Sequence, residues 1–148
     1  MSEVSLAAVM PPIIYQQEGK GMEATVIVTF LALAQYVLFG IQVGSMRGKH
    51  GIKAPATSGH PEYERMNRVH LNTMEQLVVF LPALWIHAQF ANPLYGAGIG
   101  LVFIIGRFMY RAEYLKDPAS RGTGFTLSFI PSAVLLIWAL VAAILRLL

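Results

Sequence analysis

Three stretches of this chain contain no Asp, Glu, Lys or Arg: residues 24–46, 76–106 and 122–145. Each lies in an apolar background, and a helix crosses the hydrocarbon core of a bilayer with about 20 such residues. The middle stretch is too long for one crossing, and Asn92-Pro93 inside it reads as a tight turn. Four membrane-spanning helices follow. Composition agrees: only 13% of the 148 residues are charged and the mean hydropathy is +0.56, whereas a soluble domain carries about twice that charged fraction. The expected fold is all-α, an integral membrane four-transmembrane-helix bundle over residues 23–148, with residues 1–22 as an N-terminal extension. That extension carries Glu3 and a Pro11-Pro12 break and has no basic leader region, so it does not read as a cleaved signal peptide.

Charge sets the orientation. The net charge is +3, which in a soluble protein would raise the question of nucleic acid. Here nine of the eleven basic residues fall in two segments: Arg47, Lys49, Lys53, Arg65, Arg68, then Arg107, Arg111, Lys116, Arg121. By the positive-inside rule both segments face the cytoplasm, and the Asn92 turn faces the other side. Membrane lipids are therefore the partner that composition implies, and nucleic acid is not. The lysines also fit simple headgroup contacts. The chain has no cysteine, so disulfides, thiolate metal sites and a cysteine nucleophile are excluded. His50, His60 and His87 show no ligand spacing, and no metal is expected.

Taken in order, span one covers about residues 23–46 and carries a Gly40-x-x-x-Gly44 pair, which suits packing within the bundle or between subunits. A Gly- and Pro-rich basic loop, 47–61, leads to a second helix from about Glu62 to Ala91, with Pro82 inside it. Span three runs from about Leu94 to Leu115; its Gly96, Gly98 and Gly100 read as helix packing, since no strand precedes them. Asp117-Pro118 then predicts a cap and first turn for span four, which places Arg121 in that helix's first turns.

Two polar clusters meet the membrane on the basic side. On helix two, Arg68, Asn72 and Glu75 are spaced i, i+4, i+7 and form one stripe. On helix three, Arg107, Tyr110, Arg111 and Tyr114 are spaced i, i+3, i+4, i+7. Arg121 lies just beyond and Arg47 ends span one on the same side. Ionisable groups at a membrane are costly to hold and mark function by default. Converging guanidiniums, an amide, phenols and a carboxylate suit a small polyanionic ligand. The structural alternatives are a polar cluster tying helices together, an aromatic belt for the tyrosines, and Arg107 snorkelling or pairing with Glu113 or Asp117.

These residues resemble the MAPEG family, the membrane-associated proteins in eicosanoid and glutathione metabolism. The likeness lies in Glu64-Arg65-x-x-Arg68-x-His70-x-Asn72-Thr73-x-Glu75, Phe80-Leu81-Pro82-Ala83-Leu84-Trp85, Gly106-Arg107-x-x-Tyr110-x-x-x-Tyr114, and Arg121. It covers about residues 23–148, and the helix-two motif is most similar to the third microsomal glutathione transferase subgroup and bacterial relatives. The resemblance implies a homotrimer that binds glutathione between subunits near the cytoplasmic face and acts on a hydrophobic small molecule. It assigns Arg47, Arg68, His70, Asn72, Glu75, Arg107, Tyr110 and Tyr114 to glutathione and Arg121 to the thiol. Gln76, Gly48 and Met109 depart from the leukotriene-synthesising branch and weigh against that activity.

The implied chemistry is electrostatic. A guanidinium beside a partly desolvated thiol favours the thiolate, which attacks an electrophile or a lipid hydroperoxide. The implied activity is glutathione transferase, with peroxidase activity alongside, and the implied host is a bacterial inner membrane. The rivals are a non-catalytic lipid-binding or scaffold member and a small transporter, to which only Gln35, Gln42, His87 and Gln89 point.

Overall fold

The computed structural model describes residues 12–148, with side chains from Gly21 onward; residues 1–11 of the N-terminal extension, with Glu3 and Pro11, lie outside the described residues. Four helices follow one another: α1 (Pro12–Lys49), α2 (Pro61–Phe90), α3 (Pro93–Lys116) and α4 (Gly122–Leu147), with a 3-10 turn, Pro118–Ser120, between the last two. All four are long and apolar enough to cross a membrane. Helix α1 starts at Pro12, ahead of the span read from the sequence, and passes residue 23 without a break.

The boundaries follow from caps. His60 is the N-cap of α2: its Nδ1 accepts from Glu62 N, Pro61 takes the first helical position, and Glu62 and Glu64 place negative charge in the first turn. The Glu64 carboxylate also reaches back to accept from Gly59 N at 2.9 Å, where a φ of +135° suits glycine. Asn92 repeats the device for α3, accepting from Leu94 N at 3.0 Å ahead of Pro93. At α4 the sequence expectation needs correcting. Asp117 caps only the short 3-10 turn, by accepting from Ala119 N, and α4 begins after Arg121, which stands at its N-cap.

Two apolar clusters form the core. One joins Val28, Ala32, Leu77, Phe80, Ala83, Leu84, Ala97, Phe103 and Leu135; the other, towards the basic end, joins Phe39, Met66, Val69 and Tyr110. Between them α2 contributes Asn72 and Thr73, both buried, and α3 contributes the fully buried Arg107. A polar layer therefore separates the two clusters. Gln35 and Gln42 are interhelical ties: Gln35 donates to Ile104 O at 2.9 Å and Gln42 accepts from Arg111.

Helices α3 and α4 approach closely over glycine. A Cβ at Gly106 would stand 2.8 Å from Leu127 C, and one at Gly124 would overlap the Tyr110 backbone. Small residues permit such approach in lipid. Gly40 packs against His70, while Gly44 faces open space. Two arginines staple the ends of the bundle. Arg65 of α2 donates to the last carbonyls of α3, Leu115 O and Lys116 O, and at the opposite end Arg146 of α4 donates to Gln89 O and Phe90 O of α2.

Candidate functional site

The helix-two stripe forms as its spacing predicts, and it is anchored from α3. Arg68 Nη1 meets Glu75 Oε1 at 3.1 Å, with both side chains about half exposed. Asn72 Nδ2 donates to Glu75 Oε2 at 2.8 Å, and Asn72 Oδ1 accepts from Arg107 Nη1 at 3.2 Å. Both ends of the amide are thus used, which fixes its orientation. Donors and acceptors link in a row: guanidinium, carboxylate, neutral amide, guanidinium.

Arg107 is enclosed. It neither snorkels nor pairs with Glu113 or Asp117. Its Nη2 donates to Thr73 Oγ1 at 2.8 Å, its Nη1 also reaches Ser128 Oγ at 3.4 Å, and its guanidinium carbon lies 4.2 Å from the centre of the Tyr110 ring. A planar fork of donors suits this role, because it reaches two acceptors on α2 and one on α4 at once. Tyr110 is buried beneath it. Tyr114 follows with ring centres 5.5 Å apart, and Arg121 Cζ stands 5.8 Å from the Tyr114 ring. The line Arg107, Tyr110, Tyr114, Arg121 runs from the buried layer to the exposed start of α4.

Other candidates stand apart. Arg111 leaves the α3 set: its Nε donates to Gln42 Oε1 at 2.7 Å and it lies over Phe39 on the α1 side. A shared helical face is wide enough for its two edges to meet different neighbours. His70 stacks on Tyr36 of α1, with ring centres 4.3 Å apart, away from Arg68. Arg47 bonds the Tyr63 hydroxyl and Ala56 O, which binds the α1–α2 loop to both helices.

Sequence reasoning missed Thr73 and Ser128 as partners of Arg107, and it offered Glu113 to Arg107, whereas the Glu113 carboxylate accepts from Gly124 N at 2.9 Å. A usable signal existed for the first two: a guanidinium inside a span demands acceptors. The fold also gathers His50, His60 and Glu62, with donor atoms within 4.8 Å of one another. Residues distant in spacing meet because the loop folds back. Their donors are already engaged, since Glu62 also holds Lys49 at 2.8 Å and His60 Nδ1 caps α2. The positive end of α2 and the Lys49 ammonium both oppose a cation there.

Comparison with known proteins agrees with this layout. The chain is 39% identical over 116 residues to an uncharacterized protein of Synechocystis, covering 78% of this chain and 85% of that one. It is 37% identical over 101 residues to human microsomal glutathione S-transferase 2, covering 68% and 69%. It is 33% identical over 115 residues to bovine leukotriene C4 synthase, covering 78% and 73%. The transferase relative is of the second microsomal type, where the α2 motif resembles the third. The model of the MAPEG family matches residues 25–141, and with four spans and both motifs in place the chain belongs to that family.

Proposed function

We propose that this protein is a membrane-bound glutathione transferase with peroxidase capacity. It ionises the glutathione thiol and delivers it to hydrophobic electrophiles or lipid hydroperoxides. The observation that carries the reading is the half-exposed Arg68–Glu75 pair, held by Asn72 and braced from below by Arg107. It offers a cation and an anion side by side at the membrane boundary. Glutathione carries two carboxylates and an ammonium, so the donor set fits it.

In this reading Arg68, Asn72 and Glu75 hold the peptide, and Tyr114 lines the path to Arg121. Arg107 and Tyr110 support the pocket floor. Arg47, at the end of α1 and bonded to the loop that follows it, and His70, stacked on α1, contribute from a neighbouring copy in a homotrimer. The basic end, with the site, faces the cytoplasm, in a bacterial inner membrane.

Arg121 is exposed, and among the described residues no carboxylate lies within 4.0 Å of it. Its charge is free to favour the thiolate, each unit of thiol pKa lowering being worth about 1.4 kcal/mol. The thiolate displaces a leaving group from an electrophile, forming a carbon–sulfur bond. With a hydroperoxide it attacks the terminal oxygen, the O–O bond breaks, and the alkoxide takes a proton to give an alcohol. A second glutathione then condenses with the sulfenic acid to give the disulfide and water. Apolar substrates reach the site from the bilayer.

Titration of the detergent-solubilised protein with glutathione, followed by thiolate ultraviolet absorbance, tests this. A saturable signal that is lost in Arg121→Ala is expected. Binding without thiolate formation would instead favour the non-catalytic alternative.

A further inference from the structure

The chain turns from α3 to α4 through a corner that carries Arg121. Arg121 occupies the N-cap of α4 with φ −63° and ψ −6°, and its side chain makes no capping bond. A guanidinium has no acceptor with which to make one. The first N–H groups of α4 therefore lack a local partner.

Glu113, on the preceding helix, fills that gap. Its Oε2 accepts from Gly124 N at 2.9 Å. Its main-chain carbonyl accepts from Asp117 N at 2.9 Å and from Ser120 Oγ at 3.1 Å. One residue thus grips the corner immediately before Arg121 and again just after it. A carboxylate against the first turn of a helix is also favoured by the dipole.

Two further observations give the contact its purpose. Although Arg107, Arg111 and Arg121 are all near in sequence, Glu113 forms an ion pair with none of them. Its carboxylate is spent on the backbone and leaves the Arg121 charge unneutralised. Gly124, the residue it holds, has no room to move inward: a Cβ there would stand 2.5 Å from Tyr110 Cα. The backbone contact is a stop and the Glu113 bond is a tether. Together they fix the start of α4 relative to Tyr114.

We propose that Glu113 is the positioning residue for Arg121: its bond to Gly124 N–H locks the α3–α4 corner and holds the Arg121 guanidinium at the site. This rests on the reading of Arg121 as the thiolate-stabilising group. Glu113 itself touches no substrate.

Three variants test it, each titrated with glutathione while thiolate absorbance and binding are followed separately. Glu113→Gln keeps an acceptor at the same reach, while Glu113→Asp keeps the charge but is one methylene too short. Glu113→Gln is expected to hold the thiolate signal within about twofold of the parent, and Glu113→Asp to lose it on the order of tenfold at neutral pH, with glutathione affinity little changed. A purely structural role would lower binding and thiolate together. A parent-like Glu113→Asp, or a Glu113→Gln as weak as Glu113→Asp, overturns the proposal. The conservative pair decides the matter even if Glu113→Ala fails to fold. Arg121→Ala in parallel separates the two levels. If it abolishes the thiolate and Glu113→Asp does not, only the positioning role fails; if it keeps the thiolate, the reading of Arg121 fails and takes the positioning role with it.

Discussion

Arg107 is the largest side chain enclosed completely among the described residues. A buried charge is costly unless it finds partners; Asn72, Thr73 and Ser128, from two other helices, engage both terminal nitrogens of Arg107, while its Nε is left without an acceptor among those residues. Replacing Arg107 with Leu would leave Asn72 Oδ1 and Thr73 Oγ1 without their donor and is expected to destabilise the protein by about 3 kcal/mol, read from thermal denaturation in detergent. Arg107→Lys should restore little, because an ammonium cannot span three acceptors as a planar fork does. This residue also marks where sequence reading ended. Spacing placed Arg68, Asn72 and Glu75 in one row, and the row exists. Spacing could not say that Arg107 points inward while Arg111, one turn later, bonds Gln42 of α1. A helical wheel gives directions, and the identity of the neighbour in each direction is tertiary information.

Among the elements, the four helices were legible because charge-free runs and capping residues set their limits locally. Asn92-Pro93 and the residues around Pro61 act within a few positions of one another. The start of α4 was misread for the complementary reason: its capping acceptor comes from Glu113 on another helix, eleven positions earlier in the chain. Glycines divide in the same way. Gly124→Ala would press a methyl group into the Tyr110 backbone, and a loss of about 3 kcal/mol is expected. Gly98 has nothing within 4 Å of its would-be Cβ, so Gly98→Ala should stay within about 1 kcal/mol of the parent. Melting curves of the two variants, measured side by side, check both.

The whole molecule presents an apolar exterior, with Phe30, Ile41, Val78 and Ile137 among its exposed residues. The Arg68–Glu75 pair interrupts that surface at about half exposure. Charges left facing lipid are costly, and a neighbouring copy over this face would shield them. A solution mass of three chains, after subtraction of detergent, is the expected result for the purified protein. A single-chain mass would leave the site open on one side and would remove Arg47 and His70 from it.

The two end staples, Arg65 on the α3 terminus and Arg146 on the α2 terminus, bear on how the bundle meets its surroundings. They lie at opposite ends and join different pairs of helices, so neither α3 nor α4 can slide along α2 without breaking one. Helix α2, with 30 residues, is about 45 Å long at the usual rise, against about 30 Å of hydrocarbon. A loosely packed bundle would answer a thinner or thicker bilayer by shearing its helices. This one is tied at both ends, so sliding costs those bonds, each worth about 1 kcal/mol, and part of any change in membrane thickness is expected to fall on the lipid as a load carried by the frame that holds the site.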